Sequence, residues 1–312
     1  MDIKKIVIKI YQEVTGFPLI VRCIFGKIVH PNKNIILKGF FIFKKGKLAN
    51  FNWGDDLNYY FFRMITNKKI LLLPDTKLAE KLPFKNYLCI GSTIMSFDMR
   101  NTIVWGAGLL NDKLGFKVKS KPKQILAVRG PLTRKWLLEQ GIDCPEVYGD
   151  PALLLPIFLK PQVTVCYKVG IIPHYIDINN KVVNKISKWE NTKIIKISGF
   201  NDWKEFVNLI NSCDFIISSS LHGVIVSEAY GVPVIWSKFE GTNYVPGWDF
   251  KFHDFFESID KPFVEPVKIN EKTSIDEMQS IANKWCKANI NIDSLLNTCP
   301  FKLNEKPPMV KK

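Results

Sequence analysis

Residues 214–236 read DFIISSSLHGVIVSEAYGVPVIW. An apolar strand over Phe215–Ile217 runs into three serines. Leu221-His222-Gly223 then opens a helix over Leu221–Tyr230 that stops at Gly231, and Pro233 leads into a second apolar strand, Val234–Trp236. A helix whose first turn follows Ser218, Ser219 and Ser220 presents unpaired N–H groups and hydroxyls at its positive end, a place for a carboxylate or phosphate. A histidine there is the side chain best suited to moving a proton near neutral pH. The stretch therefore sets two expectations: an α/β fold, and a small anionic substrate beside an acid–base group.

The same alternation extends on both sides. Upstream, strands are predicted at Val169–Ile172 and Lys193–Ile197, with helices at Asn179–Trp189 and Asp202–Ser212. Further back lie strand candidates Gly39–Phe43, Ile70–Leu73, Tyr87–Gly91, Thr102–Gly106 and Gln124–Val128, and helix candidates Asp55–Ile65 and Pro131–Gln140. The second of these begins on proline and stops at Gly141, as the asymmetry of helix ends predicts. Short apolar strands separated by helices argue for parallel sheets covered on both faces. Residues 1–38 read as a mixed helical and basic lead-in, and Ser274–Leu296 as a C-terminal helical region. The proline-rich exit at Cys144–Pro156 divides the chain into an N-terminal α/β lobe, 1–160, and a C-terminal α/β lobe with terminal helices, 161–312. A cleft is expected at the carboxyl ends of the strands, where open α/β sheets bind ligands.

Composition narrows the partners. Of 312 residues, 46% are hydrophobic, enough for real cores, and 44 lysines and arginines face 29 acidic residues, a formal charge of +15. That excess suits an acidic partner: phosphate- or carboxylate-bearing substrates, or peripheral contact with an anionic membrane. No arginine-rich arm, zinc-finger spacing or aromatic RNA-binding motif accompanies it, which argues against nucleic acid. Seven cysteines without a C-x-x-C pair, no signal-peptide core and no apolar run near 18 residues point to a cytoplasmic protein, at most peripheral at the inner face of a membrane. No His/Asp/Glu cluster has metal-ligand spacing, so neither metal nor cofactor is expected.

Strand ends locate the candidate chemistry. Pro173-His174-Tyr175 follows one strand, the serines and His222 another, and Ser237-Lys238 a third. A lone histidine is more often structural; three such groups on one rim read as a site, and His30 and His253 lack that context. Asn52-Trp53-Gly54-Asp55-Asp56 is a glycine turn entering a helix, where an aspartate is either a cap or a carboxylate at a cleft edge. Trp105-Gly106-Ala107-Gly108 lacks the third glycine of a dinucleotide fingerprint and instead suits close backbone approach. Arg129, before Gly130-Pro131, is a guanidinium fork for an anion. Tyr148-Gly149-Asp150-Pro151 reads as turn punctuation, with Asp150 able to orient a neighbour.

Taken in order, Asn52 to Asp55, Gly106 to Gly108, Val128 to Thr133, Gly149 to Ala152, Pro173 to Tyr175 and Ser218 to Pro233 resemble the polysaccharide pyruvyl transferase family. The resemblance covers roughly Leu37 to Asp260. It implies two Rossmann-like lobes similar to the GT-B glycosyltransferases, the first on the acceptor side and the second on the donor side. It also implies transfer of the enolpyruvyl unit of phosphoenolpyruvate, as co-substrate, onto two hydroxyls of one sugar of a cell-surface polysaccharide or its lipid-linked precursor. His222 would be the acid that protonates the methylene carbon and Asp55 the base for the sugar hydroxyl. Arg129, Ser218, Ser219, Ser220, Leu221, His174 and Lys238 would hold substrate. Many family members carry an arginine directly before the Leu-His pair, where this chain has Ser220; Arg129, Lys238 or Lys251 would supply the missing charge. Two other readings stand beside this one. Glu228 through Ile235 is similar to the stretch with which GT-B sugar-nucleotide glycosyltransferases hold a donor ribose, and the lost arginine suits a non-catalytic glycan-binding relative.

Overall fold

The computed structural model describes residues 3–44, 46–112 and 118–304. In chain order its strands are β1 (Asn34–Lys38), the hairpin β2 (Phe43–Lys44) and β3 (Lys47–Leu48), β4 (Lys69–Leu73), β5 (Asn86–Leu88), β6 (Thr102–Trp105) and β7 (Gln124–Ala127). β8 (Tyr167–Ile172), β9 (Thr192–Ile194), β10 (Cys213–Ser218), β11 (Val234–Phe239) and β12 (Val267–Ile269) follow. They build two five-stranded sheets, ordered β4-β1-β5-β6-β7 and β12-β11-β10-β8-β9, in which every pairing is parallel. This is the α/β architecture with parallel sheets that the strand–helix alternation predicts.

Among the differences from the sequence reading, three are the largest. The first strand is not Gly39–Phe43 but β1, an inner strand whose residues are all buried. Its polar ends hid it: Asn34 donates to the Gly26 and His30 carbonyls, and the Lys38 ammonium donates to the Asp98 carbonyl at 2.5 Å. The more apolar Phe40 and Ile42 stay exposed. Second, a helix absent from the expectation spans Phe250–Glu257. Third, the C-terminal region is two short helices, Ile275–Ala282 and Asp293–Asn297, separated by irregular chain.

The largest apolar cluster draws on both sheets, joining Leu37, Trp53, Phe61 and Phe62 to Ile172, Ile216, Leu221 and Phe255. Burying each such side chain is worth about 1.5–3 kcal/mol, so the sheets hold one another. Trp53 shows how: its ring stacks on Phe206 at 4.2 Å and its indole N–H donates to the Trp203 carbonyl at 2.8 Å. The chain end returns to the first sheet. Trp105 donates to the Leu295 carbonyl at 3.1 Å, and Phe301 packs on Phe62, Tyr87 and Trp105.

Candidate active site

A cavity of about 190 Å³ opens at the carboxyl ends of the strands, lined from both halves of the chain. Asn52, Asp55 and the Gly91-Ser92-Thr93 turn after β5 form one wall. His174 and Tyr175 after β8, Ser220, Leu221 and His222 after β10, and Trp248 and Lys251 form the other. Five predicted site residues therefore meet here: His222, Asp55, His174, Ser220 and Leu221. Four do not line it.

Ser218 and Ser219 belong to the turn itself. The Ser218 hydroxyl donates to the Ser220 carbonyl at 2.9 Å, and Ser219 donates to the buried Asp177 carboxylate at 2.6 Å while accepting the His174 N–H at 2.9 Å. Asp177 also accepts from Thr242 and Tyr244, so it ties the β8 and β10 loops to the segment after β11. Lys238 points elsewhere, to Asp249 at 2.5 Å. Arg129, expected to grip the substrate, is fully buried behind the cavity wall. Its Nε donates to Asp254 at 2.9 Å, and its other nitrogens donate to Ser92 Oγ and the Leu109 carbonyl, each at 2.6 Å. Asp254 in turn accepts from the Thr133 N–H and hydroxyl. Every group of that ion pair is satisfied by protein.

The glycines of the quoted motifs make this packing possible. A Cβ on Gly54 would lie 2.0 Å from His222 Nδ1; one on Gly108 would lie 2.5 Å from the Arg129 guanidinium carbon; one on Gly130 would lie 1.8 Å from the Asp254 carbonyl oxygen. Motifs far apart in sequence are thus faces of one assembly.

Electrostatics separate the groups at the cavity. Asp55 sits in the first turn of the helix Trp53–Ile65, which Asn52 caps through its Oδ1, and its Oδ2 accepts from the Asn52 amide at 2.8 Å. Burial, then the neighbouring Asp56 carboxylate, raise Asp55 to about 7, against the pull of Lys251. His222 Nε2 faces Asp150 Oδ2 at 3.8 Å, and neither atom has a hydrogen-bond partner. Burial raises Asp150 to about 7; burial, followed by the fields of Arg129 and Lys251, lowers His222 to about 3. His174 is lowered to about 3 by burial and Lys251, and its Nδ1 is also unpartnered. Lys251 is buried against Trp248 and Phe252, and burial, then Arg129, lower it to about 8. It makes no ion pair with any described carboxylate. Two histidines, each with one unpartnered nitrogen, and an ammonium without an ion pair line one cavity beside the Asp55 carboxylate, a concentration of acid–base groups that marks a site.

Sequence reasoning offers Lys251 only as one of three cations that could replace the family's arginine, and misses Asp254, because it misses their helix. The signal was there: Phe252, Phe255, Phe256 and Ile259 recur at helical spacing and are all buried. Tyr175 came with the Pro173 to Tyr175 motif, whereas Trp248 and the Ser92-Thr93 turn carried no signal of their own.

The family model for polysaccharide pyruvyl transferase matches residues 27–237, more than half of the chain and every motif of this assembly up to β11. The chain belongs to the polysaccharide pyruvyl transferase family. It is 29% identical over 207 residues to an uncharacterized protein of Acanthamoeba polyphaga mimivirus, spanning 65% of this chain and 69% of that one. It is 26% identical over 247 residues to the succinoglycan biosynthesis protein ExoV of Rhizobium meliloti, spanning 75% and 69%. Among solved structures, an uncharacterized Klebsiella pneumoniae protein aligns with a TM-score of 0.42 at 12% identity, over 86% of this chain and 99% of that one.

Proposed function

We propose that this pyruvyl transferase takes the enolpyruvyl unit from phosphoenolpyruvate and sets it, as a cyclic ketal, on two hydroxyls of one sugar of a cell-surface polysaccharide or its lipid-linked precursor. The observation that carries this reading is the cavity itself: Lys251 without an ion pair, His222 with Asp150 behind it, and the Asp55 carboxylate of pKa about 7 are set around one small space. Phosphoenolpyruvate brings a carboxylate and a phosphate, the counter-charges that Lys251 is without. In a two-lobed, GT-B-like arrangement divided near residue 160, the β8 and β10 loops would hold the donor and the Asp55 side would receive the sugar.

Lys251, at the cavity, supplies the charge that the family's arginine supplies before the Leu-His pair, and leaves room for Ser220 there. With no anion bound, burial first, and then the fields of Arg129 and Lys251, keep the His222 imidazole neutral. A bound donor reverses that field, so that His222 takes a proton and Asp150, 3.8 Å away, stabilises it. His222 then protonates the methylene carbon of phosphoenolpyruvate, giving a methyl group and an oxocarbenium-like centre. Asp55, poised near neutrality, accepts the proton of the first attacking sugar hydroxyl. The second hydroxyl closes the ketal as the C–O bond to phosphate breaks, and its proton leaves with the phosphate. His174, neutral beside Lys251, binds the donor.

The glycosyltransferase alternative loses its main support. Both carboxylate oxygens of Glu228 are taken by Lys261, at 2.7 and 2.8 Å, and Trp285 donates to one of them at 3.0 Å, so this glutamate is not free for a ribose. The test is phosphate release from phosphoenolpyruvate in the presence of acceptor glycan, with thermal-shift binding of phosphoenolpyruvate and of UDP- and GDP-sugars in parallel. Acceptor-dependent phosphate release together with a gain in glycan mass equal to a ketal-linked pyruvate is expected. Stabilisation by a sugar nucleotide alone rejects the reading.

A further inference from the structure

We propose that the outward face of the helix Ile3–Val29, with the basic cavity beside it, is a docking surface for an anionic phospholipid membrane. Over residues 14–29, the part whose side chains are described, both the inward and much of the outward side are apolar. Inward, Ile20 and Cys23 join Ile36, Leu71 and Leu73 in a core of their own. Gly26 approaches so closely that a Cβ would lie 2.7 Å from the Leu71 side chain. Outward, Val14, Phe17, Val21, Phe25 and Ile28 follow one another at intervals of three or four residues, a single stripe. Phe17 is 55% exposed, Phe25 64% and Ile28 71%. A contiguous apolar stripe left on a surface marks a partner.

Charge says which partner. Between this helix, the edge strand β4 and the β2–β3 hairpin lies a cavity of about 670 Å³ lined by Arg22, Lys47, Arg63, Lys69, Tyr59 and Tyr60. None of its four cations makes an ion pair with a described carboxylate. Arg22 belongs to both features: it is exposed at the border of the stripe and lines the cavity. An apolar stripe flanked by unpaired cations matches the boundary between acyl chains and anionic headgroups. A second copy of the chain fits worse. A symmetric dimer would set Arg22 and its neighbouring cations against themselves. No helix among the described residues is long and apolar enough to cross a membrane, so the contact lies in the interface plane.

The experiment is co-sedimentation of the full chain with vesicles of phosphatidylcholine, with and without phosphatidylglycerol, at low and high salt. It reads no catalysis and stands apart from the proposed donor chemistry. The protein should pellet with the anionic vesicles and much less with the neutral ones, and salt should release part of it. The triple variant F17S/F25S/I28S, whose side chains are exposed, should melt near the wild-type temperature and lose roughly tenfold or more in partitioning. R22Q/R63Q, which leaves the stripe intact and covers the case of a misfolded triple variant, should lose about fivefold per cation removed. Wild-type protein that stays in the supernatant, or variants that pellet as well as wild type, overturn the proposal. So does a wild-type dimer in light scattering that F17S/F25S/I28S converts to monomer without any change in vesicle binding.

Discussion

Two buried acid–base pairs lie close together in this molecule and behave in opposite ways. In Arg129–Asp254 the partners meet at 2.9 Å, and Ser92, Leu109 and Thr133 complete their hydrogen bonds. In His222–Asp150 the facing atoms are 3.8 Å apart and both are unsatisfied. Arg129, Asp150 and His222 come from the motifs that carry the family resemblance, and Asp254 from the helix Phe250–Glu257 beyond them. A buried ion pair whose every nitrogen and oxygen already has a protein partner has little bonding capacity left for a ligand; its service is to hold the wall and impose a field. An unsatisfied one stores that capacity for chemistry. Proximity to a motif therefore does not distinguish scaffold from reagent, whereas hydrogen-bond completeness does.

The largest effect should come from removing the reagent. His222→Ala should lower the rate of pyruvyl transfer by about 10²–10⁴-fold while urea denaturation changes little. A variant that keeps near-full rate breaks the comparison at once. Removing half of the scaffold pair should do the reverse. Arg129→Met leaves Asp254 buried and uncompensated, and should cost about 3–5 kcal/mol of stability. The double variant Arg129→Met/Asp254→Leu should be more stable than the single one in the same urea titration. If the single variant folds normally and fails only in donor binding, Arg129 is a ligand after all.

A smaller effect sharpens the role of geometry. Gly54→Ala forces its Cβ into the space of His222 Nδ1, and a displacement of that size should cost up to about 100-fold in kcat, with the helix intact by circular dichroism. Smallest is a change in stability with pH. Asp150 has a folded-state pKa raised from 3.8 to about 7. The folded chain thus holds that proton more tightly than the unfolded chain, and the stability this gives is lost as pH rises through 7. Asp150→Asn should accordingly match wild-type stability near pH 4 and exceed it at pH 8, on the order of 2 kcal/mol. His222, lowered to about 3, acts with the opposite sign: its stabilising contribution is lost as pH falls from 6.5 toward 3.

Much of this was legible in the sequence, for physical reasons that also explain the gaps. The β8 and β10 loops could be read because apolar strands ending in polar, chemistry-bearing residues are a local pattern; His174, Ser220, Leu221 and His222 meet where strand ends predict. The resemblance assigns Asp55 as a base, but the burial and the Asp56 neighbour that raise its pKa left no local mark. Arg129 could be read but not its partner, which lies 125 residues further on. Lys251 was one of three candidate cations, and its place at the cavity was hidden because the helical period of its aromatic run went unread. β1 was displaced because apolar content favoured Phe40–Phe43 over a strand whose polar ends are buried and bonded. Pairings made only in three dimensions left no local mark.

The most direct measurement is the protonation state of His222, by ¹⁵N NMR of the imidazole, assigned with His222→Ala and followed against pH without and with saturating phosphoenolpyruvate. The account predicts a neutral ring at pH 7 in the free protein and a protonated ring in the complex, a rise of about four pH units from about 3 as the donor anion offsets burial and the fields of Arg129 and Lys251. A ring that stays neutral with phosphoenolpyruvate bound, or one already protonated without it, would contradict the claim that the donor anion arms this acid.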